Sequence, residues 1–255
     1  MGIDVNVEVE NARFAGLDYE GRFRRALELF GDGLYLMTSA GQDSAVIQYL
    51  AREALGNDMP PTLFIDTGFY PDSTHEQLGY LDGLCSEIVE RRPTIDPGVA
   101  KREWEAIEAE RYDFVCLMDD KYDGFKFIGA DRKAIAKLMS DDEYVHLTER
   151  VDALQKDYDA FCRKIKGEPT TEAIEELGIT AFVRGVRRDQ SSDRVDTPFI
   201  SEGREAYSIS PIADMGHFDV IGVKGDNGLR TNNDHYDITK GLWDNRQECP
   251  LSFVI

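Results

Sequence analysis

A chain of 255 residues with an apolar share of 42% is long enough to bury a proper core, in one large α/β domain or two small ones. Its formal net charge of -20 repels phosphate backbones, and no apolar run approaches the roughly 20 residues that span a bilayer, so neither nucleic-acid nor membrane partners are expected. A small anionic ligand stays open, provided that a concentrated cluster of arginine and lysine meets it.

After an N-terminal arm, YEGRFRRALELFG has apolar residues at helical spacing and stops at Gly31. GLYLMTS then reads as a buried strand, GQDSAVIQYLAREAL as a helix and PPTLFIDTG as a second buried strand. Strand, tight turn, helix, strand is a βαβ unit, which implies a parallel sheet and a right-handed crossover. YPDSTHEQLGYLDGLC suits the next helix and SEIVERRP a third strand. GVAKREWEAIEAERYDFVC, ADRKAIAKLM and SDDEYVHLTERVDALQKDYDAFCRKI are helical or partly so, with polar faces that suit the outside of a sheet. EPTTEAIEELG is a short helix with an acidic first turn and a terminal glycine, and ITAFVRGV is another buried strand. From REAYSISPIAD onward the signal weakens, and KGDNGLRTNNDHYDITKG reads as a loop. The expected architecture is α/β: a doubly wound, mostly parallel sheet with helices on both faces over residues 1–214, then an irregular C-terminal extension over 215–255.

The opening residues lack the basic-then-apolar order of a signal peptide, which makes the cytoplasm the expected compartment. Acidity at this level fits an ordinary solvated surface and a high-salt habitat equally. The cysteines Cys85, Cys116, Cys162 and Cys249 show no CxxC spacing, so they indicate no zinc site. The first three sit in apolar or helical surroundings and suit small buried positions. Cys249 differs: it lies in NRQECPLSFVI, after polar residues and before Pro250, which suggests an exposed or mobile place.

Ligands of open parallel sheets bind beyond the carboxyl ends of the strands, where strand order reverses, and three motifs fall at such ends. In TSAGQDS the small residues Ser39, Ala40 and Gly41 let a phosphate approach the backbone, the next helix offers free N–H groups, and Ser39 and Ser44 add hydroxyls. A plain turn with an aspartate cap explains this loop as well, and no Gly-Lys-Ser/Thr follows to make it a Walker motif. In FIDTGFYPDS, Asp66 and Thr67 can accept from an adenine or ribose, or simply cap the helix that follows. In RGVRRDQSSDR, Arg184, Arg187, Arg188 and Arg194 supply the local positive field that the chain otherwise lacks, with guanidinium forks suited to phosphate or sulfate oxygens. The plainer reading of that cluster is a solvated salt-bridge face.

In this order and spacing the motifs resemble the sulfonucleotide reductases, the phosphoadenylyl-sulfate and adenylyl-sulfate reductases of the adenine nucleotide alpha hydrolase (PP-loop) superfamily. FIDTGFYPDS is similar to the family's Asp-Thr-Gly and Phe-Pro-Glu-Thr segment, GVRRDQSSDR to its Gly-Leu-Arg-Arg-Asp/Glu-Gln-Ser signature, and KGEPTTEAIEELG to its Lys-x-Glu-Pro and following helix. The resemblance implies a reaction at sulfur. A cysteine near the C-terminus attacks the sulfate of the bound nucleotide, and thioredoxin or glutaredoxin then liberates sulfite. Glu248 and Cys249 match the family's Glu-Cys, which makes Cys249 the candidate nucleophile. The resemblance further implies that Ser39, Gly41, Gln42, Asp43 and Ser44 hold phosphate and that Asp66, Thr67 and Gly68 face the adenosine. It also implies that Lys166, Arg187, Arg188, Gln190 and Arg194 bind the substrate's sulfate and phosphate end.

The chain departs from the family in two places. Iron–sulfur members carry an adjacent cysteine pair before Lys-x-Glu-Pro and a second pair later, whereas AFCRKIKGEP has Cys162 beside Phe161 and no later pair. No iron–sulfur cluster is therefore expected, and by analogy the 3'-phosphorylated substrate is favoured. After Cys249, Pro250, Leu251 and Ser252 stand where the family has Gly, Leu or Ile, and His. SAGQDS also leans toward the Ser-Gly-Gly-x-Asp-Ser form of PP-loop enzymes that cleave ATP to AMP and pyrophosphate with Mg²⁺. That activity, and a non-catalytic nucleotide-binding subunit, are the alternatives. The sequence leaves open whether the protein is a homodimer.

Overall fold

Residues 4–122, 140–191, 194–230 and 232 are described by the structure, a computed structural model. The expected helix ADRKAIAKLM and most of the 215–255 extension, Cys249 included, lie outside them. The helices are α1 (Val7–Ala15), α2 (Tyr19–Phe30), α3 (Gln42–Leu55), α4 (Asp72–Asp82), α5 (Pro97–Tyr122), α6 (Asp141–Cys162), α7 (Glu168–Leu177) and α8 (His217–Asp226). The strands are β1 (Leu34–Thr38), β2 (Thr62–Ile65), β3 (Ile88–Arg91), β4 (Ala181–Val183), β5 (Ile200–Ser201) and β6 (Tyr207–Ile209). Two compact units result, one running to Arg92 and resuming at Pro169, the other from Pro93 to Glu168.

The first unit holds the sheet, in the order β3-β2-β1-β4-β6-β5. Every pairing is parallel except β5 with β6. From β1 the chain winds outward through β2 to β3, then returns to place β4 on the other side of β1. Strand order therefore reverses between β1 and β4, and a crevice at their carboxyl ends is the place where such sheets take ligands.

Alternation along the strands divides the core into two layers. Leu34, Leu36, Phe64, Ala181 and Val183 point to one face, where they join Phe23 and Phe30 of α2, Val46, Ile47 and Leu50 of α3, and Val220 of α8. Tyr35, Leu63, Ile65 and Phe182 point to the other, where Ala173 and Ile174 of α7 cover them. The sheet is thus doubly wound, as its sequence pattern implies. Cys85 and Cys162 are buried, in line with the expectation for them.

Sequence periodicity passed over α1, β5, β6 and α8. Only Glu10 and Phe14 of α1 are buried, so it has almost no apolar stripe to detect. Its Asn11 instead makes both hydrogen bonds that a neighbouring strand would offer Ile200: Nδ2 donates to the carbonyl (2.7 Å) and Oδ1 accepts from the N–H (3.1 Å). A side-chain amide thereby closes the open edge of β5.

In the second unit, α5 and α6 pack through Trp104, which lies 5.5 Å from Phe161 and 6.1 Å from Tyr158 between ring centroids. Lys164 and Glu103 pair at 2.5 Å. A single π-helical turn, Arg163–Gly167, follows α6 and carries Lys166, which is buried.

Candidate functional site

The loop between β1 and α3 is tightly self-bonded. Ser39 N–H donates to Ser44 Oγ (3.2 Å), the two serine hydroxyls lie 3.4 Å apart, and Ala40 N–H donates to Thr38 Oγ1 (3.0 Å). Ala40 adopts φ 57°, the left-handed region that costs a non-glycine residue about 1–2 kcal/mol. Gly41 is the N-cap and offers no side chain, so no side chain caps the first turn of α3. The first N–H groups of a helix have no partner within it, and here they open at the strand-order reversal. Asp43 does not act as the cap that a plain turn would use.

What Asp43 does is tie this loop to the arginine loop after β4. Gln190 Nε2 donates to Asp43 Oδ2 (2.9 Å), while Arg187 Nε lies 3.1 Å from Asp43 Oδ1 in an ion pair whose angle is too bent for a hydrogen bond. Gln190 Oε1 in turn accepts from the Arg187 N–H (3.0 Å) and from Arg194 Nη1. One amide thus ties Arg187 and Arg194 of the signature to the phosphate loop. Gly185 permits the approach: a Cβ there would lie 3.0 Å from Asp43 Cβ and 3.1 Å from its carbonyl carbon. Burial pushes the Asp43 carboxyl above the usual range, against the opposing pull of Arg187 and the Gln190 hydrogen bond.

The arginines do not all converge. Arg187 is buried and shared between Asp43 and Asp189, the latter at 2.9 Å. Arg188 instead donates Nε to the Thr197 carbonyl (2.9 Å) and lies 4.7 Å over the Phe199 ring. The same ring takes Arg22 at 4.1 Å, and Arg22 forks onto Asp214 at 2.6 and 2.8 Å. The Arg22 fork holds the Asp214 carboxyl below the ordinary carboxylate value in spite of its partial burial.

At the end of β2, Asp66 is buried. It accepts from the Gly68 N–H (2.9 Å) and pairs with the exposed Arg92 (3.1 Å), so it shapes the turn and does not cap α4, whose N-cap is Pro71. Thr67 Oγ1 accepts from the Phe69 N–H (3.3 Å). Gly68 has φ 78°, with open space where a Cβ would sit. Lys166 belongs to the second unit.

A further residue comes from α8, which sequence periodicity did not mark. Lys224 Nζ donates to Gln42 Oε1 (2.8 Å). Arg92, at the end of β3, also escaped notice; ERR after an apolar strand was its only signal.

A family model for the phosphoadenosine phosphosulfate reductase domain matches residues 103–235, just over half of the chain. The chain belongs to that family. Among curated members, a phosphoadenosine 5'-phosphosulfate reductase of Synechococcus sp. is 28% identical over 183 residues, 72% of this chain and 60% of the relative's own length. One from Xanthomonas oryzae pv. oryzae is 25% identical over 217 residues, 84% of this chain and 71% of the relative. A crystal structure of phosphoadenylyl-sulfate reductase from Candida auris, in complex with phosphate, shares the fold. Its TM-score is 0.58 at 17% identity, with 91% and 92% of the two chains covered.

Within this phosphoadenosine phosphosulfate reductase domain, the residues present do not fit an iron–sulfur cluster. Four thiolates would be needed from the four cysteines of the chain. Cys85 is a poor candidate ligand, because it is buried, its Sγ lies 3.3 Å from Gln48 Oε1 and 3.5 Å from Thr62 Oγ1, and burial pushes its thiol up. Among the described residues no cluster of three or more His, Cys, Asp or Glu is placed to hold a metal ion. None of the described helices is long and apolar enough to cross a membrane.

Proposed function

We propose that the protein reduces adenosine 3'-phosphate 5'-phosphosulfate to sulfite and adenosine 3',5'-bisphosphate, in two half-reactions that pass through an S-sulfocysteine. The observation that carries this reading is the bridge of Asp43, Arg187 and Gln190, which joins the uncapped start of α3 to the arginine loop at the strand-order reversal. Membership of the family supplies the chemistry, and the cysteine set, unfit for a cluster, supports the 3'-phosphorylated nucleotide over the unphosphorylated one.

In this reading Ser39, Gly41, Gln42, Asp43 and Ser44 receive the phosphate, and Asp66, Thr67 and Gly68 shape the turn beside the adenosine. Lys166, Arg187, Arg188, Gln190 and Arg194 serve the sulfate end. Residues 1–214 bind nucleotide, and the 215–255 segment brings Cys249. Its thiolate attacks the sulfate sulfur, a sulfur–sulfur bond forms, and the bond from sulfur to the bridging oxygen breaks with its electron pair going to the leaving phosphate. Arginine charge lowers the thiol pKa and stabilises that leaving group. A dithiol protein of the thioredoxin or glutaredoxin kind then supplies two electrons: it is oxidised to a disulfide, sulfite departs, and the Cys249 thiol is regenerated. Reduced thiols and such a reductant suit a reaction in the cytoplasm.

Incubation of the reduced protein with the phosphosulfate nucleotide, followed by intact-mass measurement, tests the first half-reaction. A gain equal to SO₃, absent from Cys249→Ser and removed by thioredoxin, is the expected result. Sulfite release at the wild-type rate by Cys249→Ser would overturn the reading. Mg²⁺-dependent release of pyrophosphate from ATP, untouched by the same substitution, would put an ATP-cleaving PP-loop activity in its place.

A further inference from the structure

α8 lies against α3 with His217, Val220 and Lys224 on one face, the spacing that brings every third or fourth residue of a helix into line. Val220 is fully buried and fixes that face toward the core, whereas Phe218 on the opposite side is 85% exposed. Lys224 therefore arrives at the first residue of α3, where its Nζ donates to Gln42 Oε1 at 2.8 Å. A lysine in the last turn of a helix ordinarily offsets the negative end of its own macrodipole. This one is directed at a neutral amide on another helix.

Its charge balance differs from that of several arginines at this end of the sheet. Arg187 is matched by Asp43 and Asp189, Arg92 by Asp66 and Glu90, and Arg91 by Glu176. Among the described residues, Lys224 has no carboxylate partner. In a chain of net charge -20, a half-buried cation left without one is poised for an anion that comes from elsewhere. An ammonium has three donors, so Lys224 can keep its bond to Gln42 and still offer two to a ligand.

We propose that Lys224 is a further substrate-binding residue of this site, held by Gln42 as a positioning residue, and that it receives phosphate or sulfate oxygens of the nucleotide at the start of α3. This inference rests on the nucleotide reading above. The ammonium adds a point charge where the helix offers only N–H dipoles, and its bond to a neutral amide is exchanged or shared without separating an ion pair.

Isothermal titration of wild type, Lys224→Met and Lys224→Arg with adenosine, AMP and adenosine 3',5'-bisphosphate tests it, since methionine keeps the helix propensity and the aliphatic stem. The expected result is about tenfold weaker binding of both phosphorylated ligands by Lys224→Met, with adenosine unaffected and most of the loss restored by arginine. The dependence of affinity on salt should also flatten in Lys224→Met. Wild-type affinity in Lys224→Met, or an equal loss for adenosine and AMP, would overturn the role of Lys224 while leaving the nucleotide reading intact. A wild type that binds none of the three would overturn both.

Discussion

Asp43 is a carboxylate set among cations and yet pushed toward its neutral form, because burial outweighs the attraction of Arg187 and the hydrogen bond from Gln190. The sign of its contribution to stability follows. With a folded-state pKa above the ordinary value, the native protein binds a proton before the unfolded chain does, so the native state gains as pH falls through the raised value. Above it, the ionised form costs the native state. Asp43→Asn carries no such proton and serves as the baseline. Thermal unfolding of the two proteins from pH 8 down to pH 4 should show the wild-type midpoint rising relative to Asp43→Asn as the solution is acidified. A relative fall would mean that the Arg187 pair governs this carboxyl instead. The sequence placed Asp43 in a phosphate loop but not in this bridge, because a pairing with Gln190, 147 positions away, leaves no mark in local spacing.

Among the elements, those that bury a continuous apolar run were legible: β1, β2 and β4 announced themselves, and α3 followed from its period. β5 and β6 are two and three residues long, shorter than any alternation can register. α8 has one fully buried residue, Val220, with Gly222 and Gly225 in its sequence, so helical patterning was faint. α1 is held less by apolar burial than by polar anchors, Asn11 on Ile200 and Glu10 on Arg25 at 2.8 and 2.9 Å. The strength of the first anchor is measurable. Asn11→Ala removes both hydrogen bonds to the backbone of a fully buried residue and leaves its groups without their partner, a loss of about 1–3 kcal/mol in urea unfolding. Asn11→Asp keeps the acceptor and loses the donor, and should fall between the two. A change below about 0.5 kcal/mol in Asn11→Ala would mean that water replaces the amide at the β5 edge.

For the whole molecule, 49 acidic residues face 29 basic ones, and several of the basic ones are spent inward. Arg22 and Arg187 are buried against Asp214 and Asp43, and Arg25 is largely covered against Glu10. Such pairing leaves the solvent-facing surface dominated by like charge, and self-repulsion of like charge destabilises a compact state. Added salt acts on the two populations unequally. Exposed pairs such as Arg24 with Glu20 contribute little to begin with, so their screening costs little, and buried pairs are screened far less. Long-range repulsion is what salt removes, since the Debye length shrinks from about 30 Å at 0.01 M to about 3 Å at 1 M. The thermal midpoint should therefore rise by a few degrees between about 0.02 M and about 0.5 M NaCl, read by calorimetry without nucleotide. A midpoint that falls steadily with salt would instead mean that ion pairs outweigh self-repulsion in holding this fold.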